Sequence, residues 1–124
     1  MLLSSWHGDD LKPLIWVGSS LDDLRQLPRE VMQEVGYVLD RVQRKRGHPS
    51  IKSLSGLPGV QEIRVDHDHA TYRAVYVVNL TDAIYVLHCF QKKSKQGIST
   101  PKAEMDIIHA RLRLAKELSR DQHH

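Results

Sequence analysis

The sequence predicts a small α+β domain, an antiparallel sheet with two helices before it and one after. Three observations carry this. Tyr72–Val78 and Ala83–Phe90 are rich in β-branched and aromatic residues and flank Asn79-Leu80-Thr81-Asp82, which has turn chemistry. Val31, Val35, Val38, Leu39 and Val42 recur at helical spacing ahead of that hairpin. Met105, Ile108, Leu112 and Ala115 repeat the spacing behind it. The expected order is β-α-α-β-β-β-α, and 124 residues make one domain, 1–124.

Residues 1–12 have no periodicity and are expected to be mobile. Pro13–Gly18 reads as a short first strand ending at a glycine, with Trp16 in the core. Ser19–Leu24 opens a short helix, with a serine cap, acids in the first turn, and Leu21 and Leu24 inward. Pro28 breaks it and suits the first turn of the next helix, expected over 28–46 and ended by Gly47-His48-Pro49. Arg41 at the end of that helix complements its dipole; Arg44, Lys45 and Arg46 can do so or meet an anion. Residues 50–59 read as a loop tucked down by Ile51, Leu54 and Leu57. Val60–Asp66 is the second strand, alternating Ile63 and Val65 against Glu62 and Arg64. Thr100 and Pro101 start the last helix as cap and first residue.

Composition narrows the class. A single cysteine, Cys89, excludes an internal disulfide framework and suits a reducing, cytoplasmic setting. No apolar run reaches the length of a membrane span, and the start lacks the basic region of a signal peptide. The net charge of +3 is uneven: −4 over residues 1–40, +7 over 41–103, and zero over 104–124. A basic centre on a small domain points to a polyanion or to a solvated lysine face. No role is given to His123 or His124.

Register places the candidate residues. A turn centred on Leu80 and Thr81 puts Arg73 opposite His88, Val75 opposite Val86, and Val77 opposite Ile84. Tyr72, Ala74 and Tyr76 then share the other face with Tyr85, Leu87 and Cys89, as packing. A connection centred between Asp68 and His69 sets Arg64 opposite Arg73. Arg64, Arg73 and His88 would line up across three strands, with Lys92 at the same polar end. Truncating Arg73 there should remove a charge and little packing. Asp66-His67-Asp68-His69 has metal-ligand residue types but reads as a polar turn without a convergent third ligand, so no metal or other cofactor is expected.

The stretches KPLIWVGSSLDDL, EIRVDHDHATYRAVYVV and AIYVLHCFQKKSKQGISTPKAEMDII resemble the RelE/ParE superfamily of bacterial toxins, within it the phage-derived HigB-like branch. The likeness covers roughly residues 12–118, and YVLHCFQKKSKQGISTP is its most specific part. It implies a RelE-like fold, cleavage of mRNA on the ribosome, and control by an antitoxin, often a helix-turn-helix protein. By position it implies catalytic roles for Arg64, Arg73 and Lys92 or Lys93. The chain departs from RelE in carrying Ser99-Thr100-Pro101 and a full helix where RelE has a tyrosine. The ParE branch shares the fold but acts on DNA gyrase, so a non-enzymatic protein binder and an inactive RNA binder remain open.

Cleavage without metal uses the RNA's own 2′-OH against the adjacent phosphate. It requires positioning, a proton removed, another donated, and stabilisation of a more negative phosphorane. The planar forks of Arg64 and Arg73 suit the phosphate. His88 has the chemistry of an acid or base, or of a packed strand histidine. Lys92 completes the expected catalytic set, and Lys52, Lys93, Lys95 and Lys102 are expected to hold RNA.

Overall fold

The computed structural model describes residues 11–93 and 100–121. The elements are β1 (Leu14–Trp16), α1 (Ser20–Arg25), α2 (Arg29–Gln43), β2 (Ile51–Ser53), β3 (Val60–His67), β4 (Ala70–Val77), β5 (Ile84–Lys92) and α3 (Lys102–Asp121). They form a five-stranded sheet in the order β1-β5-β4-β3-β2. The expected α+β class holds, but the sheet is mixed: β1 runs parallel to β5 and the other pairs are antiparallel. The chain enters along one edge and passes through α1 and α2 before building the meander, so its last strand returns beside its first. The predicted loop at 50–59 hides β2, whose three residues pair with Gln61–Ile63 and cover that edge of β3.

The β3–β4 register is as expected, with Arg64 opposite Arg73. Asp68 (φ 51°) and His69 (φ 66°) make the two-residue turn, both left-handed as a tight hairpin requires, and without a glycine. The β4–β5 register differs from expectation. Arg73 faces Phe90 and Val75 faces His88, while Tyr76 faces Val86. Leu87 is the extra residue, a β-bulge that puts Leu87 and His88 on one side. A bulge resets alternation, which is why no single register fitted the whole hairpin.

Both sheet faces are consequently buried. Val31, Val35, Val38 and Leu39 of α2 and Leu24 of α1 pack on Ile63, Tyr72, Ala74, Tyr76, Ile84, Val86 and Cys89. Ile108, Leu112 and Ala115 of α3 pack on Val75, Val77, Tyr85, Leu87 and Phe90 across the other face. Tyr85 and Leu87 therefore lie on the α3 side, not with Tyr72 as expected. Lys12, in the stretch expected to be mobile, is anchored: its N–H donates to Gln43 O (3.0 Å) and its ammonium to Leu80 O (2.9 Å). Residues 1–10, Lys95, His123 and His124 lie outside the described residues.

Candidate functional site

The α3-side face of β3 and β4 carries the expected arginines, organised by an acid. Glu62 and Arg64 are two apart on β3 and so share a face, and Arg73 stands opposite Arg64. Glu62 is 1% exposed. Its Oε2 accepts from Arg64 Nη2 (2.9 Å) and Nε (3.1 Å), and its Oε1 accepts from Arg73 Nη1 (3.0 Å). One buried carboxylate thus fixes two guanidiniums with charge-assisted bonds. Arg73 Nη1 also lies 3.4 Å from Thr100 Oγ1 at the approach to α3. Arg73 is 3% exposed, so it is not at the open end of a face as the sequence implied. Arg64 remains about one-third open, its side chain 32% exposed. A cleft of about 480 Å3 runs between β2 and the start of α3, lined by Ser53, Ser55, Glu62, Arg64, Thr100 and Met105.

Lys92 at the end of β5 joins this group. Desolvation, then the charges of Arg73 and Arg64, push its ammonium below the ordinary lysine range, with Glu62 opposing. Lys52 is exposed and pairs in register with Glu62, which puts it on the same face. Lys93 is exposed beyond β5. Lys102 is also exposed and is paired with Asp106 at 3.0 Å on its own helix.

His88 belongs elsewhere. The bulge sets it beside Val75 rather than Arg73, under α3 and 6% exposed. Its Nε2 meets Glu104 Oε1 at 2.7 Å, its Nδ1 lies 3.7 Å from Asp23 Oδ2, and its ring stacks on Phe90 at 4.8 Å. Arg111 completes this network, donating to Leu87 O (2.9 Å), Asp23 Oδ2 (3.3 Å) and Ser19 Oγ (2.8 Å). Ser19, expected to cap α1 through its side chain, makes no such cap bond and instead holds Asp23 at 3.0 Å. The group ties α1, β5 and α3 together.

Sequence reasoning offers Glu62 as a partner of Arg64, which it is, but on the surface rather than as a buried acid that also holds Arg73, and it missed Glu104, Asp23 and Arg111. For Glu62 a signal existed: an acid two residues from one arginine and diagonal to another on the same face. The other three meet only through tertiary packing. Asp66 and His67 are also accounted for locally, as Thr71 Oγ1 donates to Asp66 Oδ1 (3.0 Å) and His67 Nε2 lies 3.9 Å from Glu30. Among the described residues no three His, Cys, Asp or Glu side chains converge as a metal-ligand set. Burial pushes the Cys89 thiol up to about 12, Asp23 adding to the shift and Arg111 opposing it, which is the state of a packed cysteine.

A five-stranded sheet covered by α1 and α2 on one side and α3 on the other is the fold of the RelE toxins. A mutant of E. coli toxin RelE in the free state superposes with a TM-score of 0.54 at 20% identity, over 68% of this chain and 87% of that one. The toxin–antitoxin complex RelBE2 from Mycobacterium tuberculosis is also similar, with a TM-score of 0.48 and 17% identity over 65% of this chain and 98% of that chain. The chain belongs to the phage-derived Gp49-like protein family, whose model matches residues 22–113. No curated protein sequence matches it.

Proposed function

We propose that this chain is the toxin of a toxin–antitoxin pair and a metal-independent, ribosome-dependent mRNA endonuclease of the cytoplasm. The fold and family make a toxin the natural reading. The observation that carries the chemistry is Glu62 holding Arg64 and Arg73 beside Lys92. Pre-set guanidiniums stabilise charge as it develops on the phosphorane without reorganising. Arg64, the more open of the two, contacts the phosphate, and Arg73 supports it from behind. Lys92, with its lowered proton affinity, donates to the leaving 5′-oxygen. Lys52, Lys93 and Lys95 hold the backbone, and Lys102 contributes once it leaves Asp106. His88 acts here as a positioning residue, through α3, rather than as the base.

The partners in this reading are the ribosome with its mRNA and an antitoxin, a helix-turn-helix protein by family resemblance. An antitoxin covering Arg64 and Lys92 would be acidic where it touches. The test is to induce the chain and map new RNA 5′ ends. Cuts inside translated messages are expected; intact messages at full growth arrest would exclude cleavage.

One observation favours a second reading. Neither Glu62, bonded to both arginines, nor His88, held against Glu104 under α3, is placed to act as a base at Arg64. A non-enzymatic toxin that binds a protein such as DNA gyrase needs none. It predicts DNA damage without new RNA ends, in the same induction experiment. An inactive RNA binder would give neither.

A further inference from the structure

At the cationic end of α2 the sequence leaves Arg44, Lys45 and Arg46 open between the helix dipole and an anion, and the structure divides them. Arg41 Nε donates to Gly47 O at 2.8 Å, and Arg44 Nε lies 3.0 Å from Asp40 Oδ2. Both serve the helix end itself. Lys45 and Arg46 are exposed, with no side-chain hydrogen bond or ion pair among the described residues. They rim a cavity of about 440 Å3, with Lys12 and His48 beside them. Its floor is aliphatic, from Val42, Ile51, Val78 and Ile84. These pack with the α2-side core, so the cavity opens on the face opposite Arg64.

Lys45 occupies an unusual backbone position. Its φ is 62°, its N–H donates to Val42 O (2.9 Å), and Arg46 N–H donates to Arg41 O (2.8 Å). This is the helix-ending motif in which glycine normally takes the left-handed residue, because a side chain there is strained. Glycine would serve the helix better, so the lysine side chain is left for another use. Nearby, Tyr37 is 54% exposed, its ring edge-on to His48 at 6.0 Å.

We propose that this cavity is a second RNA contact, taking one nucleotide of a single strand. The base lies over the aliphatic floor and the phosphate meets Lys45 and Arg46. Gln61, whose Oε1 accepts from Tyr76 Oη at 2.9 Å, keeps its amide N–H groups for the base edge. Tyr37 offers a ring to the next base. Lys12 is committed to backbone carbonyls, and Glu34 lies 3.9 Å from His48, so Lys45 and Arg46 carry the charge complementarity. Cations beside an exposed ring are the composition of strand-binding surfaces. The size lies within the range of about 300–1,000 Å3 for small-ligand sites. This holds whatever the Glu62 face does.

The test uses the full chain, adenosine 5′-monophosphate, and a fluorescein-labelled adenylate octanucleotide. The nucleotide should shift the methyl resonances of Ile51, Ile84, Val42 and Val78, in wild type and in Arg64→Ala alike. Lys45→Gly should weaken octanucleotide binding several-fold and lower the salt slope by about one. It should also raise the melting temperature by roughly 2–4 °C. Opposite signs on binding and stability separate a contact from a structural role. Arg46→Ala and Tyr37→Ala should each weaken binding by about three- to tenfold. The proposal is overturned if the nucleotide leaves these methyls unmoved, or if Lys45→Gly binds as tightly as wild type. It is equally overturned if a Glu- and Leu-rich peptide moves the methyls and the nucleotide does not, since the occupant is then a protein.

Discussion

Glu62 accepts from two arginines at once, so removing either arginine changes more than a charge. Arg73→Ala would leave a buried carboxylate held only by Arg64, whose side chain is 32% exposed. Breaking a buried pair costs about 3–5 kcal/mol, and the remaining bond to Arg64 should keep the loss near ~3 kcal/mol. Urea unfolding of the variant measures it, and wild-type stability would show that the pair carries no such strain. The double change Glu62→Leu with Arg73→Met removes both charges at similar volume and should recover most of that loss. Toxicity that returns in the refolded double variant would show that neither Glu62 nor Arg73 is needed for function beyond folding. Arg64 is the cleaner single probe: Arg64→Ala leaves Glu62 paired to Arg73, and single-turnover cleavage should fall by about 10²-fold or more. Glu62 itself was hard to read in advance. Alternation assigned it to a polar face, and polar faces are ordinarily solvated, whereas here α3 covers that face.

At the scale of elements, α2 and the β3–β4 hairpin were legible because each is governed by local pattern. A helical stripe defines α2, and a two-residue turn at Asp68-His69 sets one register for all eight residues of β3. β5 was legible as a strand but its register was not, because the bulge at Leu87 has no local pattern and the Leu87 carbonyl is held from outside the strand. Arg111 of α3 holds it, reaching Leu87 O at 2.9 Å across 24 residues of sequence. β2 failed for the opposite reason: three residues are too few to show a period. Gly18 gives a test of the junction among β1, α1 and α3. Its φ is +57°, and a Cβ there would meet Arg111 Nε at 2.8 Å. Gly18→Ala therefore strains the backbone and displaces the guanidinium that holds the bulge. A loss of about 1–2 kcal/mol from the backbone alone is expected, more if Arg111 leaves Leu87 O. Hydrogen exchange should report it at the amides of β5 around the bulge. Unchanged exchange there would mean that Arg111 does not hold the bulge.

Across the whole molecule, one sheet separates two cores, and groups that resist ionisation lie in both. Tyr85 is on the α3 side, where burial first and Asp82 second push its phenol up to about 12 from 10.0. Its Oη donates to Asp82 Oδ2 at 2.6 Å, and the same carboxylate accepts from Ser119 Oγ at 2.6 Å. Cys89 is on the α2 side, pushed up to about 12 from 9.0, chiefly by burial. Tyr76 on that side is raised too, by burial alone. Each folded value exceeds the unfolded one, and each group is neutral while protonated. Between the two values the unfolded chain has lost protons that the folded chain keeps, so stability falls as pH rises. The contribution is intact below pH 9, where Cys89 would first ionise in the unfolded chain, and is lost progressively toward pH 12. Because the groups sit in both layers, the layers should fail together, in one transition by circular dichroism and by tyrosinate absorbance. Tyr85→Phe separates the parts of this argument. At neutral pH it loses the bond to Asp82 and should be less stable by about 1 kcal/mol. Above pH 10 it no longer titrates, so its stability should fall less steeply than that of the wild type. The two stability curves should therefore converge as pH rises, and parallel curves would mean that Tyr85 does not contribute to the alkaline loss of stability.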